Sequence, residues 1–169
     1  MERYRFGVGE YKYFADPLPE MIQQLRSAAY RHLAPVANLW MERMSLQEHF
    51  PPELSAFLKV CANHHQTRPT PLLLRYWEGC YNCLHQDIYG EIAFPLQLTI
   101  ALSPGRDYSG GEFLLLEQRP RAQSRGESIS LEQGEAIIFA NRYKPVEGSR
   151  GFYGLVSFFR RSRCCQWAR

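Results

Sequence analysis

Ser109-Gly110-Gly111-Glu112-Phe113-Leu114-Leu115-Leu116-Glu117-Gln118 places two glycines at a turn and follows them with a short run of bulky apolar residues. It reads as one β-strand entered from a tight turn. The same pattern recurs on both sides. Candidate strands are Leu72–Trp77, Pro95–Leu102, Glu112–Gln118, Ser128–Leu131, Glu135–Ala140 and Phe152–Phe159. Ser103-Pro104-Gly105, Gln133-Gly134 and Glu147-Gly148 are the turn signals between them. Upstream the period changes. Ile22, Leu25, Ala29 and Leu33 recur at helical steps, Pro35 interrupts them, and Val36, Leu39 and Trp40 suggest a continuation after a break. Pro51-Pro52 ahead of Leu54, Phe57, Leu58 and Cys61 opens a second short helix. Residues 1–17, aromatic and charged, read as an extended segment lying on the core. The pattern predicts an α+β fold, a β-sandwich or jelly roll with N-terminal helices packed on the sheet.

The chain has 169 residues, of which 45% are hydrophobic and 22% charged. That excludes a disordered tail protein and suits a single domain over 1–169. Its parts are a helical portion, 1–70, a β core, 71–160, and a tail, 154–169. No apolar run reaches the ~18 residues of a membrane span, and the polar start lacks the apolar core of a signal peptide, so the expectation is a cytoplasmic protein with no membrane partner. Charge is uneven: residues 142–169 hold seven basic groups and one acid, Glu147. Such an end is either a nucleic-acid footprint or a solvated terminus. Arg119, Arg121 and Arg125 form a second basic cluster with the same two readings. The five cysteines are odd in number and argue against a disulfide framework. Cys61, His64, Cys80 and Cys83 have the residue types of a small zinc site, against which stands ordinary packing of reduced thiols.

The stretch richest in chemistry is Tyr76-Trp-Glu-Gly-Cys-Tyr-Asn-Cys-Leu-His85-Gln-Asp87. On an extended chain residues i and i+2 point to the same side, so the His85 imidazole and the Asp87 carboxylate can converge on one cation. A histidine and an aspartate are two of the three ligands of a 2-His-1-carboxylate iron site, which leaves positions open for substrate and dioxygen.

His85-Gln-Asp87, the Gly110-Gly111-Glu112 strand and Gln133-Gly134-Glu135-Ala136 opening an apolar strand occur in an order that resembles the double-stranded β-helix of the Fe(II)/2-oxoglutarate oxygenases. Gly7-Val-Gly-Glu-Tyr-Lys-Tyr-Phe, Arg68-Pro-Thr-Pro-Leu-Leu-Leu-Arg-Tyr, His85-Gln-Asp-Ile-Tyr-Gly-Glu and Glu117-Gln-Arg-Pro-Arg-Ala-Gln-Ser-Arg look like a bacterial family of such enzymes with a suggested role in oxidative demethylation of damaged DNA. The likeness covers roughly residues 1–153. It implies a cupin-like jelly roll, iron held by His85 and Asp87, 2-oxoglutarate and dioxygen as co-reactants, nucleic acid as a partner, and Tyr76 touching the cosubstrate. It also brings in Arg150, in Pro145-Val-Glu-Gly-Ser-Arg, as a second cosubstrate ligand, with a structural ion pair as the alternative.

The likeness stops after Gly148-Ser-Arg-Gly-Phe-Tyr153, where the family continues into an Arg-His-Gly-Val-Ser motif that carries the third iron ligand, followed by the arginine that pairs with the distal carboxylate. Here no histidine follows His85. Back-translated and read one base out of register, the segment from Arg161 yields Val-His-Gly-Val-Val-Ser-Gly-Arg, so the expectation is a C-terminally truncated or frameshifted copy with its last strands missing or altered. Sequencing the coding DNA tests it. Cys164 or Cys165 could stand in as a ligand. Two function classes result: an Fe(II)/2-oxoglutarate dioxygenase, inactive in this copy if nothing replaces the third ligand, or a non-catalytic cupin-like binding module.

Overall fold

The computed structural model describes residues 6–167, with side chains through residue 163. The elements run β1 (Gly7–Val8), β2 (Glu10–Tyr13), α1 (Glu20–Arg43), α2 (Leu54–Asn63), β3 (Leu72–Arg75), β4 (Tyr81–Asn82), β5 (Leu96–Ile100), a 3-10 turn (Gly105–Asp107), β6 (Tyr108–Gly110), β7 (Phe113–Gln118), β8 (Arg125–Ile129), β9 (Ala136–Ala140), β10 (Tyr143–Gly148), β11 (Gly151–Arg161) and β12 (Cys164–Trp167). The class is α+β, and the strand pairs are antiparallel. The described strands form a four-stranded sheet, β10-β11-β7-β8, and the pairs β1-β4, β2-β3, β5-β9 and β6-β12, with no closed barrel among them.

α2 buries Leu54, Phe57 and Cys61, the stripe its spacing predicts. α1 departs from its expected form in two ways. It is continuous through Pro35 instead of breaking there, and it buries Tyr30, Ala34, Ala37 and Met41. Leu25, Val36 and Leu39, expected on the packed side, are about 40% exposed. The face is turned because small Ala34 and Ala37 let α2 approach, while Pro35 stands on the solvent side. There the carbonyl that Pro35 leaves unpaired is open to water. The helices enclose a first core of Tyr30, Phe50, Phe57 and Met41, closed by Phe94 and Ile92. Tyr30 stacks on Phe57 at 5.3 Å and Phe50 meets Phe94 edge-on at 5.0 Å.

The end of α1 lies on the sheet: Met44 Sδ is 3.4 Å from the position a Cβ would take on Gly154, and Arg43 covers the Phe152 ring at 4.7 Å. β11 is the spine of that sheet. Its alternation buries Leu155, Ser157 and Phe159. Phe159, Phe113 and Phe139 make the second core, with ring separations of 4.6 to 6.1 Å. Most expected strands appear with small boundary shifts. The strand expected at Ser128–Leu131 lies earlier, at Arg125–Ile129, and Trp77 stands outside β3 and is 43% exposed. β10 runs through Lys144-Pro145. Its proline is tolerated because β10 is an edge strand, paired only with β11.

Candidate metal centre

His85 is held on β11 by two backbone bonds, its N–H to the Phe159 carbonyl at 3.1 Å and the Phe159 N–H to its own carbonyl at 3.2 Å. Its ring lies 4.5 Å from that of Phe159 and 5.7 Å from that of Phe6. Nδ1 is 2.7 Å from the Cys83 carbonyl oxygen. A carbonyl only accepts, so Nδ1 carries the proton and Nε2 presents its lone pair. That bare nitrogen is 3.7 Å from Asp87 Oδ1. Two atoms each about 2.1 Å from a shared ion lie at most about 4.2 Å apart, so the pair fits one cation. The His85 side chain is 13% exposed and that of Asp87 36%, so the pair opens to solvent on the carboxylate side.

Asp87 is fixed by residues that drew no notice in the sequence. Asn141, just past β9, accepts from the Asp87 N–H at 3.1 Å and donates to the Asp87 carbonyl at 2.7 Å, replacing the strand partner this segment lacks. Gln97 Nε2 donates to Asn141 Oδ1 at 2.8 Å and lies 3.4 Å from Asp87 Oδ2, which leaves Oδ1 for the cation. Gln86, between His85 and Asp87, donates to the Ser157 carbonyl at 2.7 Å. Burial first, and then the Asp87 carboxylate, raise the Tyr13 and Tyr89 phenols above their ordinary value. Both rings stay neutral and half exposed beside the carboxylate. The signal available in the sequence was the position of Asn141, a polar residue at the end of an apolar strand.

Tyr76 is 9% exposed, and burial, partly opposed by the Arg161 guanidinium, pushes its phenol up to about 12. The Asp87 carboxylate acts on it as well, so Tyr76 belongs to this neighbourhood. Arg150 does not. It sits exposed in the turn between β10 and β11, nine residues of strand from Phe159, or about 30 Å. The Arg119, Arg121 and Arg125 loop is exposed at the far end of β7 from Phe113. Among the described residues no three His, Cys, Asp or Glu side chains gather into a metal group. Cys61 packs in the helical core and His64 pairs with Glu91 at 2.7 Å, so Cys61, His64, Cys80 and Cys83 form no zinc site. The Cys164 and Cys165 side chains lie outside the described residues. No described helix is long and apolar enough to cross a membrane.

The chain matches, over residues 9–158, the model of a family described as an oxygenase catalysing oxidative methylation of damaged DNA. The match ends inside β11, within the segment set apart as a divergent tail. The uncharacterized proteins MT2286 and Rv2227 of two Mycobacterium tuberculosis strains are each 47% identical to it over 140 residues. The alignments cover 82% of this chain and 60% of each relative, so the chain spans about three-fifths of their length. No solved structure matches it.

Proposed function

Because the chain belongs to this oxygenase family, we propose that His85 and Asp87 hold Fe(II) in a dioxygenase that uses 2-oxoglutarate and oxidises a methyl group on a damaged nucleobase. The observation that carries the reading is the His85 Nε2 lone pair turned toward Asp87 Oδ1 at 3.7 Å, with Nδ1 occupied by the Cys83 carbonyl. An imidazole nitrogen and a carboxylate oxygen are the donor types such iron takes, and the ion, when bound, supplies dioxygen activation. One oxygen atom goes to the methyl carbon, which leaves as formaldehyde. The other goes to the 2-oxo acid, which leaves as succinate and carbon dioxide.

The protein's own residues orient and exclude. The Cys83 carbonyl fixes the imidazole tautomer. Asn141 and Gln97 aim one carboxylate oxygen. Phe159 and Phe6 keep water from the covered side of His85. Tyr76 stays a neutral donor and faces the cosubstrate. On the open side, Tyr13 and Tyr89 offer half-exposed rings against which an unstacked base can lie. The finer architecture belongs to the same proposal: the antiparallel ladders are portions of a jelly roll.

The test is an anaerobic titration of the chain with Fe(II) and 2-oxoglutarate, read by the visible charge-transfer band of the chelate. A band that saturates at one equivalent is expected, lost in His85→Ala and Asp87→Ala; its absence in the unmodified chain sinks the reading. A second reading, a cupin-like binding module without catalysis, is favoured by one observation, the lack of a third described ligand beside His85 and Asp87. Release of succinate in air separates the two: a chain that shows the band but makes no succinate is the binding module.

A further inference from the structure

The β7–β8 hairpin turns through Gln118-Arg119-Pro120-Arg121-Ala122-Gln123-Ser124-Arg125-Gly126, which holds three arginines, no acid and only exposed residues. The Ala122 N–H donates to the Arg119 carbonyl at 3.4 Å and closes a β-turn with Pro120 and Arg121 at its centre. Arg121 has a φ of 58°, in the left-handed region, so with proline ahead of it the turn is of type II. Glycine or asparagine is the comfortable residue there, and an arginine is strained. Strain kept at a position that carries a charge gives that charge a functional reading. Among the described residues none pairs with the three guanidinium groups. The acid across the ladder from Arg125, Glu117, is held by Lys144 instead. No large apolar side chain of the described residues is exposed between Leu102 and Ile138, so this surface suits a polyanion and not a lipid or an apolar partner.

Strand register places the hairpin relative to the candidate metal pair. His85 lies across from Phe159, Phe159 from Leu115, and Leu115 from Glu127. Arg125 follows two residues away on β8, in the direction in which Asp87 follows His85, because the strands alternate in sense. Three strand spacings and two residues of rise put the Arg125 backbone about 15 Å from that of His85 along the sheet. Arg125 is in register with Glu117, and Glu117 with Ser157, so Arg125 stands on the face where the Phe159 ring meets His85.

We propose that Arg119, Arg121 and Arg125 grip the phosphates of a nucleic-acid strand whose damaged base is presented to His85 and Asp87. The grip rests on the damaged-base reading above. Guanidinium forks match phosphate oxygens and carry no sequence information, so the strand is held whatever bases flank the lesion. A stacked strand advances about 3.4 Å per nucleotide, so the held phosphates lie about four nucleotides from the base at the metal pair.

The experiment is fluorescence anisotropy of a labelled single-stranded oligothymidylate with the full chain, over a series of salt concentrations. Each phosphate neutralised on a single strand contributes about −0.7 to the slope of log affinity against log salt. Changing Arg119, Arg121 and Arg125 together to Gln is expected to flatten the slope by about 2, and each alone by about 0.7. Arg31→Gln removes the same charge from the exposed side of α1 and is expected to leave the slope as it is. Arg121→Gly is expected to keep the urea midpoint, since relief of the turn offsets the freedom glycine adds to the unfolded chain. It should still flatten the slope by about 0.7, which a merely structural Arg121 would not do. A slope unchanged in the triple variant overturns the grip and leaves the damaged-base reading standing. So does displacement of the oligonucleotide by an equal charge of polyglutamate, which assigns the surface to acidic protein. An unmodified chain that binds no oligonucleotide at low salt overturns both, and the iron titration still judges the metal pair.

Discussion

Asn141 shows what a single side chain does here. Its amide stands in for a missing strand, taking one bond from and giving one to the Asp87 peptide. Asn141→Ala strips two backbone groups of their partners in a place where Asn141 itself is 6% exposed. The expected cost is about 2–5 kcal/mol by chemical denaturation, with metal affinity about 10- to 100-fold weaker in whatever remains folded. Unchanged metal affinity would show that Asp87 holds its place without the clamp. Glu112 and Ser162 make a second single-residue test. The Ser162 hydroxyl donates to the Glu112 carboxylate and, ahead of the Glu112 backbone N–H, lowers its pKa from the ordinary value. A carboxylate depressed in the folded state stabilises above its unfolded pKa, and that contribution is lost as pH falls through the folded value. Ser162→Ala should move the Glu112 titration, followed by carbon-13 NMR, back up toward the ordinary carboxylate range. It should also shrink the loss of stability between neutral and acid pH. A titration that does not move refutes the pairing.

At the scale of elements, legibility followed periodicity. α2 and the apolar strands β5, β7 and β9 stand close to where their patterns put them, because burial on one or both faces forces the pattern into the sequence. β1, β4, β6 and β12 are two to four residues long and carry no readable period. They exist because a neighbour supplies the ladder. α1 was misjudged at Pro35 for a definite reason: a proline costs a helix interior one hydrogen bond, and packing of Ala34, Ala37 and Met41 outweighs it. Pro35→Ala should then raise stability, by up to about 3 kcal/mol, as a higher urea midpoint with unchanged slope. No gain would show that Pro35 sits in α1 without cost. Of the candidate site, His85 and Asp87 drew attention by residue type and spacing, and Tyr76 through the family resemblance. Asn141 and Gln97 did not, since each acts across 10 to 54 positions of sequence that only the fold brings together. The two edges of the four-stranded sheet are managed locally: β10 carries Pro145, and β8 carries Arg125 and Glu127.

Among the described residues there are two apolar clusters, one between the helices and one of Phe113, Phe139 and Phe159 under the sheet. Only the second touches His85. Phe57→Ala and Phe159→Ala should each cost about 3–5 kcal/mol of stability. The first should leave affinity for Mn(II) and 2-oxoglutarate unchanged in the folded fraction, while the second should weaken it by removing the ring against His85. Equal effects of the two on binding would mean that the clusters act as one.

The pair of hydrogen bonds between His85 and Phe159 also sets an order of events during synthesis. His85, the proposed ligand, is translated 74 residues before Phe159, which seats it. At the ordinary pace of a ribosome that interval is about 4 to 15 s. Through it the imidazole and the carboxylate are already on the growing chain, without the backbone bonds or the Phe159 ring that β11 brings. Any metal met by the nascent chain finds two loose donors and no pocket. The proposed centre would therefore be a late product of translation, and a nascent chain arrested before Phe159 leaves the tunnel should discriminate poorly among divalent ions.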